Sequence, residues 1–310
     1  MAAKATRDAF GEALLKCGEK YPNVVALDAD LAKSTKSELF AKKFPARFFE
    51  MGIAEANMIG TGAGLALAGK VPFICSFACF VTGRYDQIRI SVAYSEANVR
   101  IVGSHAGIAI GDDGYSQQGL EDIALMRVLP GMAVLQPADD LEAEAMVEFL
   151  CTHKGPAFLR TTRQKLERVH ADGYKFQFGK LDELRGGGSD AVIFATGGET
   201  YFAMQAAEQL AQGGLKVGVV NVPSIKPFDA EHAVRLAKGT KVVVTAEDHM
   251  IAGGLGSVVA ESLAEAGVGK RLLRIGLRDV FGESGDPAEL LAKFKLDSKG
   301  IAEQVRGLLK

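Results

Sequence analysis

The stretch FFEMGIAEANMIGTGAGLALAG (48–69) sets one carboxylate, Glu55, at the mouth of a run dominated by Gly, Ala, Met, Ile and Leu. A buried acid is costly unless something pairs with it. Glu55 is therefore either a solvated helix-start residue or a carboxyl group held for a ligand. Each glycine inside a helix costs roughly 1 kcal/mol relative to Ala. Gly60, Gly62 and Gly64 thus mark a place where a backbone, a helix or a ligand comes close; tight packing in a core or dimer interface would use the same residues. In SFACFVTGRYDQIR (76–89), Phe77 and Phe80 stand three apart just after an apolar run. They are either two core aromatics or a flat slot that sandwiches a heteroaromatic ring. The loop GSHAGIAIGDDGYSQQG (103–119) carries His105, Asp112, Asp113, Ser116, Gln117 and Gln118 among glycines that permit unusual backbone angles. A long polar loop after a strand usually carries function. Arg7, Arg160 and Arg163 are candidate anion clamps, because a guanidinium donates in pairs to phosphate oxygens.

These groups need a scaffold that converges them, and the chain alternates strand and helix patterns. Short apolar runs at 23–30, 70–78, 98–105, 132–139 and 156–162 read as buried parallel strands. The segment 139–153 reads as a helix capped by an aspartate, and Phe10, Ala13, Leu14 and Cys17 lie at helical spacing in the first twenty residues. Strands separated by helices imply a parallel sheet covered on both faces. Ligands of such sheets bind beyond the carboxyl ends of the strands. Asp28, Asp30, Phe77, His105 and Arg163 fall at or just past those ends. DELRGGGSD (182–190) reads as a linker. A second α/β pattern follows, with strands at 191–196, 216–222, 241–248 and 271–277 and helices near 199–212 and 255–266. The expectation is two α/β domains with parallel or mixed sheets, 1–186 and 187–310.

Bulk properties narrow the function classes. The chain has 310 residues, 48% hydrophobic and 24% charged, with a formal net charge of −2. That balance gives no electrostatic footprint for nucleic acid or an anionic membrane. The N-terminal segment carries Asp8 and Glu12 and lacks the apolar core of a signal peptide. No run of about 18 apolar residues exists to span a membrane. Cys17, Cys75, Cys79 and Cys151 lack the spacing of a zinc site; they read as reduced core thiols of a cytoplasmic protein. AEDHMIAGGLG (246–256) superficially suggests a nucleotide loop, but its spacing is not G-x-G-x-x-G. Glu247 and His249 read there as interface residues.

Taken in order, EMGIAEANM, SFACFVTGRYDQIR, GSHAGIAIGDDGYSQQGLEDIALMRVLP, PAFLRTTRQ, IKPFD and AEDHMIAGGLGSVVAE resemble the C-terminal portion of a transketolase, from about Arg7 onward. The resemblance implies a pyrimidine-binding domain followed by a transketolase C-terminal domain. It implies thiamine diphosphate as cofactor, with Glu55 hydrogen-bonded to a nitrogen of the aminopyrimidine. The shared proton would drive the exocyclic amine toward an imino form able to deprotonate the thiazolium. Phe80 would stack on the pyrimidine, Phe77 would wall the pocket, and Gln117 would face cofactor and substrate. Many microbial transketolases have His at that position and others have Gln. Arg7, Ser34 and Arg163 match sugar-phosphate ligands, and His105 and Asp113 match groups that bind sugar hydroxyls, with His105 also in the catalytic set. Asp30 matches an acid near the active centre.

The family's Gly-Asp-Gly motif with a later Asn, which holds diphosphate and Mg²⁺, is absent. GDDG (111–114) and SGDPAE (284–289) do not fit it. The expectation is a split enzyme. A separate N-terminal subunit would carry the diphosphate-binding domain and Mg²⁺ (or Ca²⁺), most simply in a heterotetramer acting on sugar phosphates. Alternatives are the matching half of a deoxyxylulose-phosphate synthase, the β subunit of a 2-oxoacid dehydrogenase, or a non-catalytic assembly subunit.

Overall fold

Apolar runs such as VVALD and AVIFA leave no alternate residue for water, so they require cover on both faces of their sheet. A computed structural model describes residues 4–310 and shows that cover. The strands in chain order are β1 (Lys4–Ala5), β2 (Val24–Asp28), β3 (Phe48–Glu50), β4 (Val71–Phe77), β5 (Arg100–Ser104), β6 (Ala133–Leu135), β7 (Ala157–Arg160), β8 (Lys165–Leu166), β9 (Asp182–Arg185), β10 (Ala191–Ala195), β11 (Val217–Asn221), β12 (Ser224–Lys226), β13 (Val242–Met250) and β14 (Arg271–Leu277). Strands β2, β4, β5, β10 and β11 are buried at every residue.

The first sheet has the order β12, β6, β7, β5, β4, β2, β3. All its pairings are parallel except that of β12 with β6. The second has the order β14, β13, β10, β11, β9, and only β9 runs antiparallel. β1 and β8 form a separate ribbon. The fold is the expected pair of α/β units, one per sheet.

Three apolar clusters hold the layers together. Helices Thr6–Lys20 and Asp140–Thr152 pack on one face of the first sheet through Phe10, Leu14, Phe73, Met146 and Leu150. A second cluster joins Met58, Ile74 and Phe158 to Phe194, Val220 and Leu255, so the two halves share a core. The third backs the second sheet with helices Glu199–Gln212 and Ser298–Leu309. Each fully buried Leu or Phe contributes about 1.5–3 kcal/mol.

Several local outcomes differ from the sequence pattern. The first three residues of the expected N-terminal helix lie outside the described residues, and the helix begins at Thr6. The expected linker is strand in its first part, because Asp182–Arg185 pairs with β11. Its charged residues sit on an exposed edge, where no apolar run marks a strand. β12 also escaped the pattern. It leaves the second half and pairs Ser224 with Leu135 at the edge of the first sheet. Asp139 caps its helix as expected, accepting from the Glu142 amide at 3.0 Å.

A buried polar knot ties the halves further. Asn221 on β11 donates to both carboxylate oxygens of Glu142, each at 3.0 Å. His170 lies between Asp139 at 2.8 Å and Asp182 at 3.1 Å. Burial opposes its charge, but the hydrogen bonds to these carboxylates prevail and raise its pKa to about 10.

Candidate active site

Parallel strands end with their carbonyl edges on one side, and the chemistry-bearing residues gather there. Glu55 opens helix Glu55–Leu67 and is 5% exposed. Its carboxylate accepts no hydrogen bond from any described residue. Of the helix glycines, only Gly62 is needed for close packing, since a Cβ there would meet Ile74 Cγ2 at 2.8 Å. Gly60 and Gly64 face open space.

Phe77 ends β4, and Phe80 lies one helical turn later in helix Ala78–Thr82. Their rings stack directly, with centroids 5.5 Å apart and planes at 8°. A third ring between them would need two contact distances of about 3.5 Å each. The expected slot between the two phenylalanines is therefore closed. Phe77 instead lies between Phe80 and His105, whose ring centroid is 3.9 Å from its own. The half-buried Phe80 offers its other face for stacking.

His105 follows β5 in a left-handed conformation (φ +53°) and is 3% exposed. Its Nε2 lies 2.7 Å from Nη1 of Arg7, and its Nδ1 lies 2.9 Å from the Ser104 hydroxyl. A guanidinium only donates. Nε2 is thus the acceptor, and the proton sits on Nδ1. Burial, then the positive charges of Arg7, Arg163 and Lys36, push its pKa down to about 3. The ring is neutral throughout the physiological range.

Arg7 also donates to the Ser34 carbonyl at 3.3 Å, while its buried Nε makes no hydrogen bond to a described residue and lies 4.0 Å from Asp8 Oδ1. Arg163, just past β7, pairs with Asp113 at 3.5 Å. Gln117 is half-buried, and its side chain makes no hydrogen bond; its carbonyl accepts from the Cys79 thiol at 3.1 Å. Asp30 is exposed in a left-handed turn (φ +62°), and its amide donates to Glu50 Oε1 at 2.8 Å. The structure thus joins Arg7, Ser34, His105, Phe77 and Phe80 in one contact chain, and Asp113 with Arg163 in another. No polar or ring contact links Glu55 or Asp30 to them.

Arg160 is not an anion clamp. It is fully buried, donating to Asp122 at 2.8 Å, Asp248 at 2.6 Å and the Gly119 carbonyl at 3.0 Å. Three acceptors leave its guanidinium no face for a ligand. The glycine-rich turn after β13 holds no room for a phosphate either. The Glu247 carboxylate already accepts from the Leu255 and Gly256 amides, at 2.7 and 2.8 Å. Glu247 and His249 are buried inside the fold rather than lining a surface.

Sequence reasoning missed the residues that hold the Asp30–Ser34 turn. Buried Asp28 accepts from the Leu31 amide at 2.7 Å and from the hydroxyls of Thr35 and Ser37 at 2.7 and 2.8 Å. Burial raises its pKa to about 6 despite these bonds. Three hydroxyl residues, Ser34, Thr35 and Ser37, within nine positions of a strand-end acid were the available signal. Ser104, which fixes the His105 tautomer, was equally visible as its neighbour.

Comparison with known proteins finds two family models on the chain. Residues 2–168 match the family model "Transketolase, pyrimidine binding domain", and residues 179–301 match "Transketolase, C-terminal domain". The chain is 45% identical to a putative transketolase C-terminal section of Methanocaldococcus jannaschii, covering 97% of this chain and 95% of that protein. It is 38% identical to the transketolase of Homo sapiens, covering 98% of this chain but 49% of that protein. Among solved structures, one described as a split gene transketolase, inactive beta4 tetramer, superimposes with a TM-score of 0.89 and 42% identity. That match covers 99% of this chain and 98% of the other.

Proposed function

The chain belongs to the transketolase family, and we propose that it is the C-terminal subunit of a two-subunit transketolase. The enzyme would move a two-carbon ketol unit from a ketose phosphate to an aldose phosphate. The observation that carries this reading is Glu55, a residue 5% exposed whose carboxylate has no hydrogen-bond partner among the described residues. Such a group is costly until something pairs with it, and an aminopyrimidine nitrogen supplies that partner.

The fit to thiamine diphosphate is that of half a site. Glu55 and the open face of Phe80 suit the pyrimidine. No cluster of three His, Cys, Asp or Glu side chains arranged for a metal occurs among the described residues, and the sequence lacks the Gly-Asp-Gly…Asn pattern. The reading therefore gives the diphosphate and Mg²⁺ (or Ca²⁺) to an N-terminal partner subunit. Similarity to a protein named as a C-terminal section, and to half the length of the human enzyme, supports that division. The exposed face of Ile53, Gly60, Gly64 and Leu67 supports further burial by self-association, as in a heterotetramer. No described helix is long and apolar enough to cross a membrane.

When bound, the cofactor supplies the carbon nucleophile and the electron sink for carbon–carbon cleavage. The chain's own residues do the rest. Glu55 would hydrogen-bond a ring nitrogen of the pyrimidine. Arg7 and Arg163 neutralise the phosphate end of the sugar. Ser34 lines the same end. Asp113 and the carboxamide of Gln117 face the row of hydroxyls, neutral His105 is held against Arg7 and Ser104, and Asp30 adds an acid at the entrance. His105 is not a general acid in this scheme, because its nitrogens are already engaged and it carries no exchangeable positive charge near neutral pH.

The test is to purify the tagged chain gently from its native cells and identify what co-elutes. A stoichiometric partner with the Gly-Asp-Gly…Asn motif, giving ketol transfer in the mixture, is expected. Glu55→Gln should then abolish nearly all turnover in an assembly that stays intact. Unaltered turnover would remove Glu55 from the mechanism.

A further inference from the structure

The loop that carries Asp113 and Gln117 does not stand on its own half of the chain. Between Ile108 and Gln118 it leans on residues 280–287 of the second half. Gln118 is 1% exposed. Its Nε2 donates to the Ile108 carbonyl at 3.3 Å and, across the interface, to the Glu283 carbonyl at 3.0 Å. A side chain on Gly282 would collide with the Gln118 carboxamide, so the backbone there presses directly on it. The Tyr115 ring packs on Phe281 with centroids 4.5 Å apart and planes at 59°. Gly111 and Gly114 have positive φ, +81° and +74°. A Cβ on Gly111 would meet Pro287 at 2.8 Å, and one on Gly114 would strike the Ser284 side chain.

A glycine-rich loop loses much conformational entropy when it is held in one shape. Contacts that hold it beforehand spare a ligand that loss. We propose that segment 280–287 of the second half is a latch that positions loop 107–118, with Gln118 and Phe281 as its positioning residues. The second half then has a part in substrate binding beyond assembly. What the loop binds rests on the transketolase reading; the latch itself rests on the contacts alone.

Two measurements keep those claims separate. Hydrogen–deuterium exchange on the full chain, in whatever assembly it forms, reads the loop directly. The Gly114, Gln117 and Gln118 amides are hydrogen-bonded within it, and the Gly107 amide donates to the Gly119 carbonyl just past it. Phe281→Ala and Gln118→Met should speed exchange across 107–118 by roughly tenfold, leave β5 and β13 unchanged, and Phe281→Tyr should behave as the parent. Unchanged exchange in both variants, each folded, overturns the latch. In the assembly with its partner subunit, the same two variants should raise KM for the ketose phosphate by roughly tenfold, about one hydrogen bond's worth, with kcat little changed. An equal fall in kcat at constant KM also overturns it. If the parent assembly transfers no ketol unit, the transketolase reading fails, and the exchange result alone decides the latch.

Discussion

Replacing Arg160 with Met leaves two buried carboxylates facing each other without their shared cation. The Asp122 side chain is 0% exposed and that of Asp248 6%. The lost interactions are two charge-assisted hydrogen bonds, at 2.8 and 2.6 Å, and one to the Gly119 carbonyl. All three are donated by the charged guanidinium, and such bonds contribute about 1.5–3 kcal/mol each, so the direct loss is about 4.5–9 kcal/mol. Protonation limits the damage. Neutralising one freed aspartate at pH 7, from an ordinary value near 3.9, costs about 4 kcal/mol. Burial pushes the Asp122 pKa up even with the arginine present. The expected destabilisation is therefore about 4–5 kcal/mol at pH 7, within the usual range for breaking a buried pair. It should shrink by about 1.4 kcal/mol per pH unit on acidification while one proton is taken up. Urea unfolding at fixed protein concentration, at pH 7.0 and 5.5, measures both values. A loss under about 1 kcal/mol, or one independent of pH, refutes the claim that Arg160 neutralises a dry acidic pair.

Two of the buried histidines should shift stability with opposite signs. His105 has its folded pKa lowered to about 3, so the unfolded chain binds more protons below about 6.5, and its contribution is lost as pH falls through that window; its ring signals in NMR should stay flat from pH 8 to about 5, and a midpoint near 6.5 would refute the Arg7 contact. His170 is raised to about 10, so its contribution is lost as pH rises from about 6.5 toward 10, and His170→Gln should flatten the alkaline limb of a stability–pH curve. Cys79 is half-buried with its thiol raised to about 12 by burial and nearby acids; iodoacetamide at pH 8 should label it at least about 100-fold more slowly in the folded than in the unfolded chain. Gly103→Ala would set a methyl 2.7 Å from the Phe158 ring, an overpacking that should lower stability by about 1–3 kcal/mol in the same denaturation assay.

What the sequence made legible was whatever one segment could express alone. Runs such as KVPFICSFA and KVVVTAED read as strands because burial on both faces leaves no other composition. Asp139 read as a cap because it needs only the amide of Glu142. The fate of the arginines was not legible. Arg7 and Arg160 look alike in sequence, yet one is part-buried beside Ser34 and His105 and the other is saturated by Asp122 and Asp248. That difference depends on residues brought from far along the chain. The two phenylalanines were ambiguous for a similar reason: a spacing of three puts rings near each other but does not say whether they touch. β12 was invisible because SIK has no period of its own; its strand character comes from the open edge of β6.

That borrowed edge has a consequence for the order in which the chain can become whole. β6 leaves the ribosome about 90 residues before the segment that pairs with it, a delay of roughly 5–20 s at ordinary rates of synthesis. Through that interval the first sheet can assemble everything but its last strand, and β6 waits with unpaired amides and carbonyls. An open strand edge is a template for any other nascent copy. Completion of the first half is thus a late event of translation, and a ribosome stalled before Ser224 would release its most adhesive product.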